Sequence, residues 1–221
     1  MEAPDQADLS RIYAHRFSSQ LDYRNRVWRV LVECFFSSYI PKNAAILDLG
    51  CGYGEFINHV EATCKYGMDL NPDSAAHLYP DIKFLFQDCS QRWEIPDHSL
   101  DVVFTSNFFE HLPDKTALGK TLDETRRCLK PGGLLIAIGP NIKFLADAYW
   151  DFWDHHVALS DASVQEALET RGFTTEACIG RFLPYTMSRK RPIPDLLIKT
   201  YLKVPFLWRF FGKQFLVVAR A

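Results

Sequence analysis

Polar and apolar positions change period several times along the chain. Over residues 10–39 they recur at helical spacing, with Val27, Val30, Leu31 and Cys34 on one face, which predicts one or two N-terminal helices. Pro41 ends them, and 44–49 is a short apolar run closing on Gly50, the pattern of a buried strand. Beyond it the periods alternate: 66–70, 83–86, 100–105 and 134–139 read as strands, and 55–63, 73–78 and 114–129 as helices. Alternation of this kind builds a parallel sheet covered on both faces. Ser160 caps a helix that Gly172 stops, a strand follows over 173–179, and a last strand is 214–219. Residues 180–213 are too long for a hairpin turn and read as two short amphipathic helices divided at Pro205.

With 221 residues, 48% of them hydrophobic, the chain has room for one ordinary domain and little disorder. No apolar run approaches the roughly 18 residues of a membrane span, and the first ten residues lack the basic-then-apolar order of a signal peptide, so a cytoplasmic protein is expected. Six cysteines without a CxxC pair read as free thiols rather than as a zinc site or a disulfide framework. The net charge of −2 hides a polarity, because the last 41 residues hold nine Lys or Arg against one acid, Asp195. Interleaved there with Trp, Tyr and Phe, these bases suit an anionic membrane or a pyrophosphate-linked lipid or sugar. The same aromatics can instead pack on the sheet or on a second subunit, giving a homodimer.

The stretch Ile46-Leu47-Asp48-Leu49-Gly50-Cys51-Gly52-Tyr53-Gly54-Glu55-Phe56 carries the chemistry: a buried strand runs into a glycine-rich turn and then a helix. Glycines let the backbone pass close to a ligand at positive φ. Gly50, Gly52 and Gly54 are evenly spaced, unlike GxGxxG, and follow an acid, Asp48, which either braces the turn or meets the ligand. Asp69 closes the next strand, about twenty residues on, where a carboxylate can accept both hydroxyls of a ribose. Asp88 follows the third strand. Three acids at the carboxyl ends of successive parallel strands face one crevice and suit a ligand with an adenosine-like body and a positively charged end.

With these motifs the chain resembles the class I S-adenosylmethionine-dependent methyltransferases, of the group acting on small molecules, lipids and glycans. The resemblance is close over 44–139, where Leu100 to Leu112 and Leu129-Lys130-Pro131-Gly132-Gly133 also match. It implies an α/β fold: a Rossmann-like, seven-stranded, mostly parallel sheet with helices on both faces and an antiparallel last strand. It also implies S-adenosyl-L-methionine as cofactor. Asp48, Gly50, Cys51, Gly52 and Gly54 would line its methionine part, Asp69 and Leu70 the ribose, Asp88 and Cys89 the adenine, and Asn107 the region beside the sulfonium. The layout would be one methyltransferase domain over 1–221: an N-terminal helical lid over 1–43, a core over 44–179, the basic aromatic insertion over 180–213, and the last strand. From the lid, Tyr13 or Arg16 would hold the methionine carboxylate.

Methyl transfer is an in-line displacement that needs no metal, and a hydroxyl acceptor needs a base. His155 and His156, beside Asp154 in an aromatic segment, are candidates, as are Glu110 and His111 after the fourth strand. Adjacent histidines are also common as solvated loop residues, and His111 can simply pack beneath the cofactor. A metal held with Asp151 and Asp154 is not expected. Ser106-Asn107-Phe108-Phe109 lacks the Asn/Asp-Pro-Pro-Tyr/Phe pattern of adenine N-methylation, and no Pro-Cys nucleophile follows, so nucleic acid is disfavoured as acceptor. The expectation is methylation of an oxygen, or less favourably a nitrogen, of a carbohydrate or lipid-linked glycan in polysaccharide biosynthesis. The alternatives are a lipid or quinone head group, with 180–213 lying on the inner membrane face, and a non-catalytic subunit that retains the cofactor pocket.

Overall fold

A computed structural model of the protein describes residues 11–12, 21–145, 148–185 and 192–221. Seven strands form one sheet in the order β3-β2-β1-β4-β5-β7-β6. They are β1 Ala45–Leu49, β2 Cys64–Asp69, β3 Ile82–Phe86, β4 Leu100–Ser106, β5 Leu129–Pro140, β6 Thr174–Ile179 and β7 Gln214–Arg220. The first five pair in parallel, and β7 runs antiparallel to both β5 and β6. The helices are α1 Leu21–Cys34, α2 Lys115–Cys128, the single turn α3 Ile142–Leu145, α4 Asp161–Glu169, α5 Asp195–Lys203 and α6 Pro205–Phe211.

Side chains alternate along each strand, so the sheet feeds two cores. On β5, Leu135 and Ala137 join Leu118 and Leu122 of α2 and Leu168 of α4 on one face. Ile136 and Ile138 join Val30 and Leu31 of α1, Leu202 of α5 and Trp208 of α6 on the other. There Phe56 stacks on Phe104 with ring centroids 3.5 Å apart, and Trp28 meets both edge-on at 5.9 Å.

Expected elements and observed ones differ in four places. No helix forms over 55–63; a single 3-10 turn, Ile57–His59, replaces it. Phe56 and Ile57 drop into the core, while Asn58 donates to His77 O and accepts from Tyr79 N, fastening the segment sideways. The helix over 73–78 is a 3-10 stretch, Pro72–His77, capped by Asn71. Strand β5 begins at Leu129 rather than at 134, because Leu129 pairs with Leu100 ahead of the bulge. Cys34 is exposed instead of sharing the buried face of α1. Two short helices divided at Pro205 are observed as expected, with Leu202 and Trp208 packed on the sheet and Phe206, Phe210 and Phe211 exposed.

Candidate active site

The strand order turns back between β1 and β4, which opens a crevice at their carboxyl ends. A cavity of about 1290 Å³ lies there. Pockets for one small ligand run to roughly 1,000 Å³, so there is space for two molecules side by side.

Gly50, Gly52 and Gly54 all have positive φ, at 72°, 53° and 74°. A Cβ on Gly50 would sit 2.3 Å from the Phe108 ring, so this position has steric as well as conformational need of glycine. Gly50, Cys51 and Gly52 line the cavity; among the described residues Gly54 does not, and it serves the turn, where a Cβ would meet Leu78 at 2.5 Å. Asp69 organises the loop: its carboxylate accepts the Gly52 N–H at 2.8 Å through one oxygen and the Asn71 N–H at 2.8 Å through the other. Asp88 accepts the Ser90 N–H at 2.8 Å. Asp48 is 3% exposed, and burial, with Glu55 and Asp69 adding to it, drives its carboxyl well above the usual carboxylate range. Glu55 pairs with Arg24 of α1 at 2.6 Å. Positive charge on a ligand would relieve this crowding of acids.

Leu70, Asp88, Cys89 and Asn107 reach the same cavity. Asn107 holds a positive φ of 50°, and its buried Oδ1 has no hydrogen-bond partner among the described residues. Cys51 and Cys89 line the cavity as protonated thiols, since burial pushes the first well above its usual range and the second to about 12. Tyr13 and Arg16 lie outside the described residues.

The four acid–base candidates converge on the far side. Glu110 is 1% exposed, and burial raises its carboxyl to about 7. His111 Nδ1 lies 2.9 Å from the Asp154 carbonyl oxygen and 3.2 Å from its carboxylate, while Nε2 is 3.9 Å from Glu110 Oε1. Burial pulls the His111 pKa down, but the bond to Asp154 and the charges of Glu110 and Asp154 outweigh it, so the net shift is upward. His155 is buried, stacked on Phe152 and edge-on to Tyr149 and His111. His156 is exposed on the cavity wall, and its N–H donates to Glu110 O at 2.8 Å. The histidine pair is therefore split, one ring inward and one outward. The one backbone oxygen of Glu110 also takes the Val157 N–H, which clamps both segments together.

The sequence anticipates the N-terminal lid but not its partner in the cavity's roof, α5. Arg26 lies 3.2 Å from Asp195, and Tyr23 Oη accepts the Ile193 N–H, so α1 and α5 close over the crevice as one cover. Tyr23 and Trp28 line it from α1, and Leu197, Ile198 and Tyr201 from α5. The helical spacing of 195–203 held the signal for a half-buried face, but not which element it would meet.

Residues 20–177 match a family model described as a methyltransferase domain. A probable S-adenosylmethionine-dependent methyltransferase of Mycolicibacterium smegmatis is 31% identical over 144 residues, 62% of this chain and 54% of that protein. The 2-methyl-6-phytyl-1,4-hydroquinone methyltransferase of Synechocystis sp. is 28% identical over 126 residues, 53% of this chain and 39% of that protein. The chain thus spans about half or less of the length of these curated relatives. A solved S-adenosylmethionine-dependent methyltransferase from Archaeoglobus fulgidus shares the fold, with a TM-score of 0.69 at 19% identity over 93% of this chain and 99% of that one. Because the family match covers the strands and turns that build the cavity, the chain belongs to the class I S-adenosylmethionine-dependent methyltransferases.

Proposed function

We propose that this chain transfers the methyl group of S-adenosylmethionine to a hydroxyl oxygen of a small acceptor with an apolar body, such as a hydroquinone or a lipid-tailed alcohol. The observation that carries the reading is one continuous cavity, running from the Gly50–Gly52 turn past Glu110 and His111 to an apolar wall of Ile193, Leu197, Ile198 and Phe210. The residues of the turn fit the cofactor: two glycines without a Cβ to obstruct it, Asp69 with its carboxylate at the rim of the cavity beside the turn, and buried acids that favour a cationic centre. When bound, the cofactor supplies a methyl carbon made electrophilic by positive sulfur.

The chain's own work is alignment, exclusion of water and removal of one proton. Glu110 and His111, the latter held by Asp154, anchor the acceptor oxygen. His156, an exposed residue of the cavity lining, takes the proton and passes it to water. His155 supports the anchor from below. The cover of α1 and α5 shields the reacting atoms.

The Synechocystis relative is named for a hydroquinone bearing a phytyl tail, which agrees with an apolar wall. A carbohydrate or lipid-linked glycan remains the second reading, favoured by Tyr185, Lys213 and Gln214 on the lining. The test is transfer of labelled methyl from the cofactor to a panel holding a short-chain prenylated hydroquinone, nucleotide sugars and lipid-linked saccharides. Turnover on the hydroquinone, reduced ~100-fold or more in His156→Ala with cofactor-product affinity unchanged, supports the reading. Turnover on saccharides alone selects the second, and failure to bind S-adenosylhomocysteine sinks both.

A further inference from the structure

Glu110, His111 and His155 each offer one ligand atom, and these atoms lie within 4.8 Å of one another at the cavity floor. Two observations set the trio apart from an ordinary buried ion pair. Glu110 is almost wholly buried, yet neither carboxylate oxygen has a hydrogen-bond partner among the described residues. Buried carboxylates are otherwise paired, hydrogen-bonded or metal-bound. His111, in turn, is held as metal-ligating imidazoles are held: Nδ1 is engaged by the carbonyl and carboxylate of Asp154, which directs its proton there and leaves the Nε2 lone pair toward Glu110. Nε2 and Glu110 Oε1 stand 3.9 Å apart, too far for a hydrogen bond, and with the proton on Nδ1 the two atoms suit a shared cation.

We infer that Glu110, His111 and His155 form a binding site for one divalent transition-metal ion. Two imidazoles with one carboxylate select the zinc, manganese and ferrous class over magnesium or calcium, which favour all-oxygen sets. Ligand atoms about 2.0–2.2 Å from a common ion stand roughly 3–3.5 Å apart, so the trio closes by ~1 Å on loading. The His155 ring is already oriented by the Phe152 stack and the Tyr149 edge, leaving Glu110 and His111 to make the adjustment. Positions not taken by protein face the cavity and accept an oxygen of the acceptor or water. The inference rests on the same cavity as the proposed function, but cation binding is measured without turnover.

The test uses the full chain stripped with chelator, titrated calorimetrically with Zn(II) and, by electron paramagnetic resonance, with Mn(II). One equivalent bound at micromolar affinity or better is expected, weakened 30-fold or more in Glu110→Gln and in His155→Gln. Asp154→Asn, which alters the carboxylate that supports His111, weakens it roughly tenfold. Circular dichroism and S-adenosylhomocysteine binding show whether each variant is folded. No binding by the parent protein, or equal binding in the folded variants, overturns the site. Cation binding without cofactor-product binding keeps the site and discards the enzymatic reading.

Discussion

Gly50 has two separable requirements, and substitutions can tell them apart. Its φ of 72° belongs to the left-handed region, where a side chain costs about 1–2 kcal/mol, and a Cβ would overlap the Phe108 ring at 2.3 Å, an overpacking of about 1–3 kcal/mol. Urea denaturation of Gly50→Ala should show both losses, and Phe108→Ala in that background should return only the second. Asp69 allows a similar separation. Asp69→Asn keeps one acceptor oxygen for the loop but removes the charge, so S-adenosylhomocysteine affinity by calorimetry should fall by about 1.5–3 kcal/mol, on the order of 10- to 150-fold. At this scale the sequence was informative where chain neighbours set the geometry, as with the glycine spacing and the strand-end acids. It was silent on Phe108 against Gly50, and on Glu110 facing His155, because these contacts join segments that only the sheet order brings together.

Among the elements, α2 shows how a helix can hold a distant loop. Near its end Arg127 contacts Glu124 one turn back at 2.5 Å and Asp97 at 2.5 Å, and donates to the carbonyls of Trp93 and Ile95. Glu124 also accepts the Trp93 N–H, at 2.8 Å. Burial raises the Glu124 pKa, but the bonds from Arg127 and Trp93 outweigh it and hold the carboxyl below its ordinary value of 4.5. A depressed carboxylate contributes stability above its unfolded pKa and loses it as pH falls through the folded one. Arg127→Met should therefore cost about 1–3 kcal/mol at neutral pH, with the gap to the parent protein narrowing below pH 4.5 in denaturant titrations. Elements ended by strong punctuation were legible: Asp114 and Ser160 cap α2 and α4 through their side chains, and Pro205 divides α5 from α6. The helix over 55–63 was not, since Phe56, Ile57 and Val60 satisfy a helical period while stacking on Phe104 demands a different path.

For the molecule as a whole, the polarity of charge acquires a location. The exposed Leu196, Leu197, Phe206, Phe210 and Phe211 belong to the two helices at the cavity's apolar side, where Leu197, Phe210 and Phe211 also line it. Exposed Lys199, Lys203, Arg209 and Lys213 stand among them. The one acid of this segment, Asp195, is turned toward Arg26 and Arg29 of α1 and offsets little of that charge. Apolar side chains ringed by bases are the chemistry of an anionic lipid surface, and an acceptor with a lipid tail would then reach the cavity from the bilayer. No helix among the described residues is long and apolar enough to cross a membrane, so contact of this kind would be peripheral. Sedimentation with vesicles should show binding to phosphatidylglycerol-containing bilayers and little to pure phosphatidylcholine. Raising salt should weaken it, because each surface lysine or arginine contributes only about 1 kcal/mol of screened attraction. Lys199→Glu with Lys203→Glu should abolish the lipid preference, and Phe206→Ser with Phe210→Ser should weaken binding at every salt. If the serine variant instead converts a dimer to a monomer by analytical ultracentrifugation, with no vesicle binding by the parent protein, the face is an interface between two copies and the membrane reading fails.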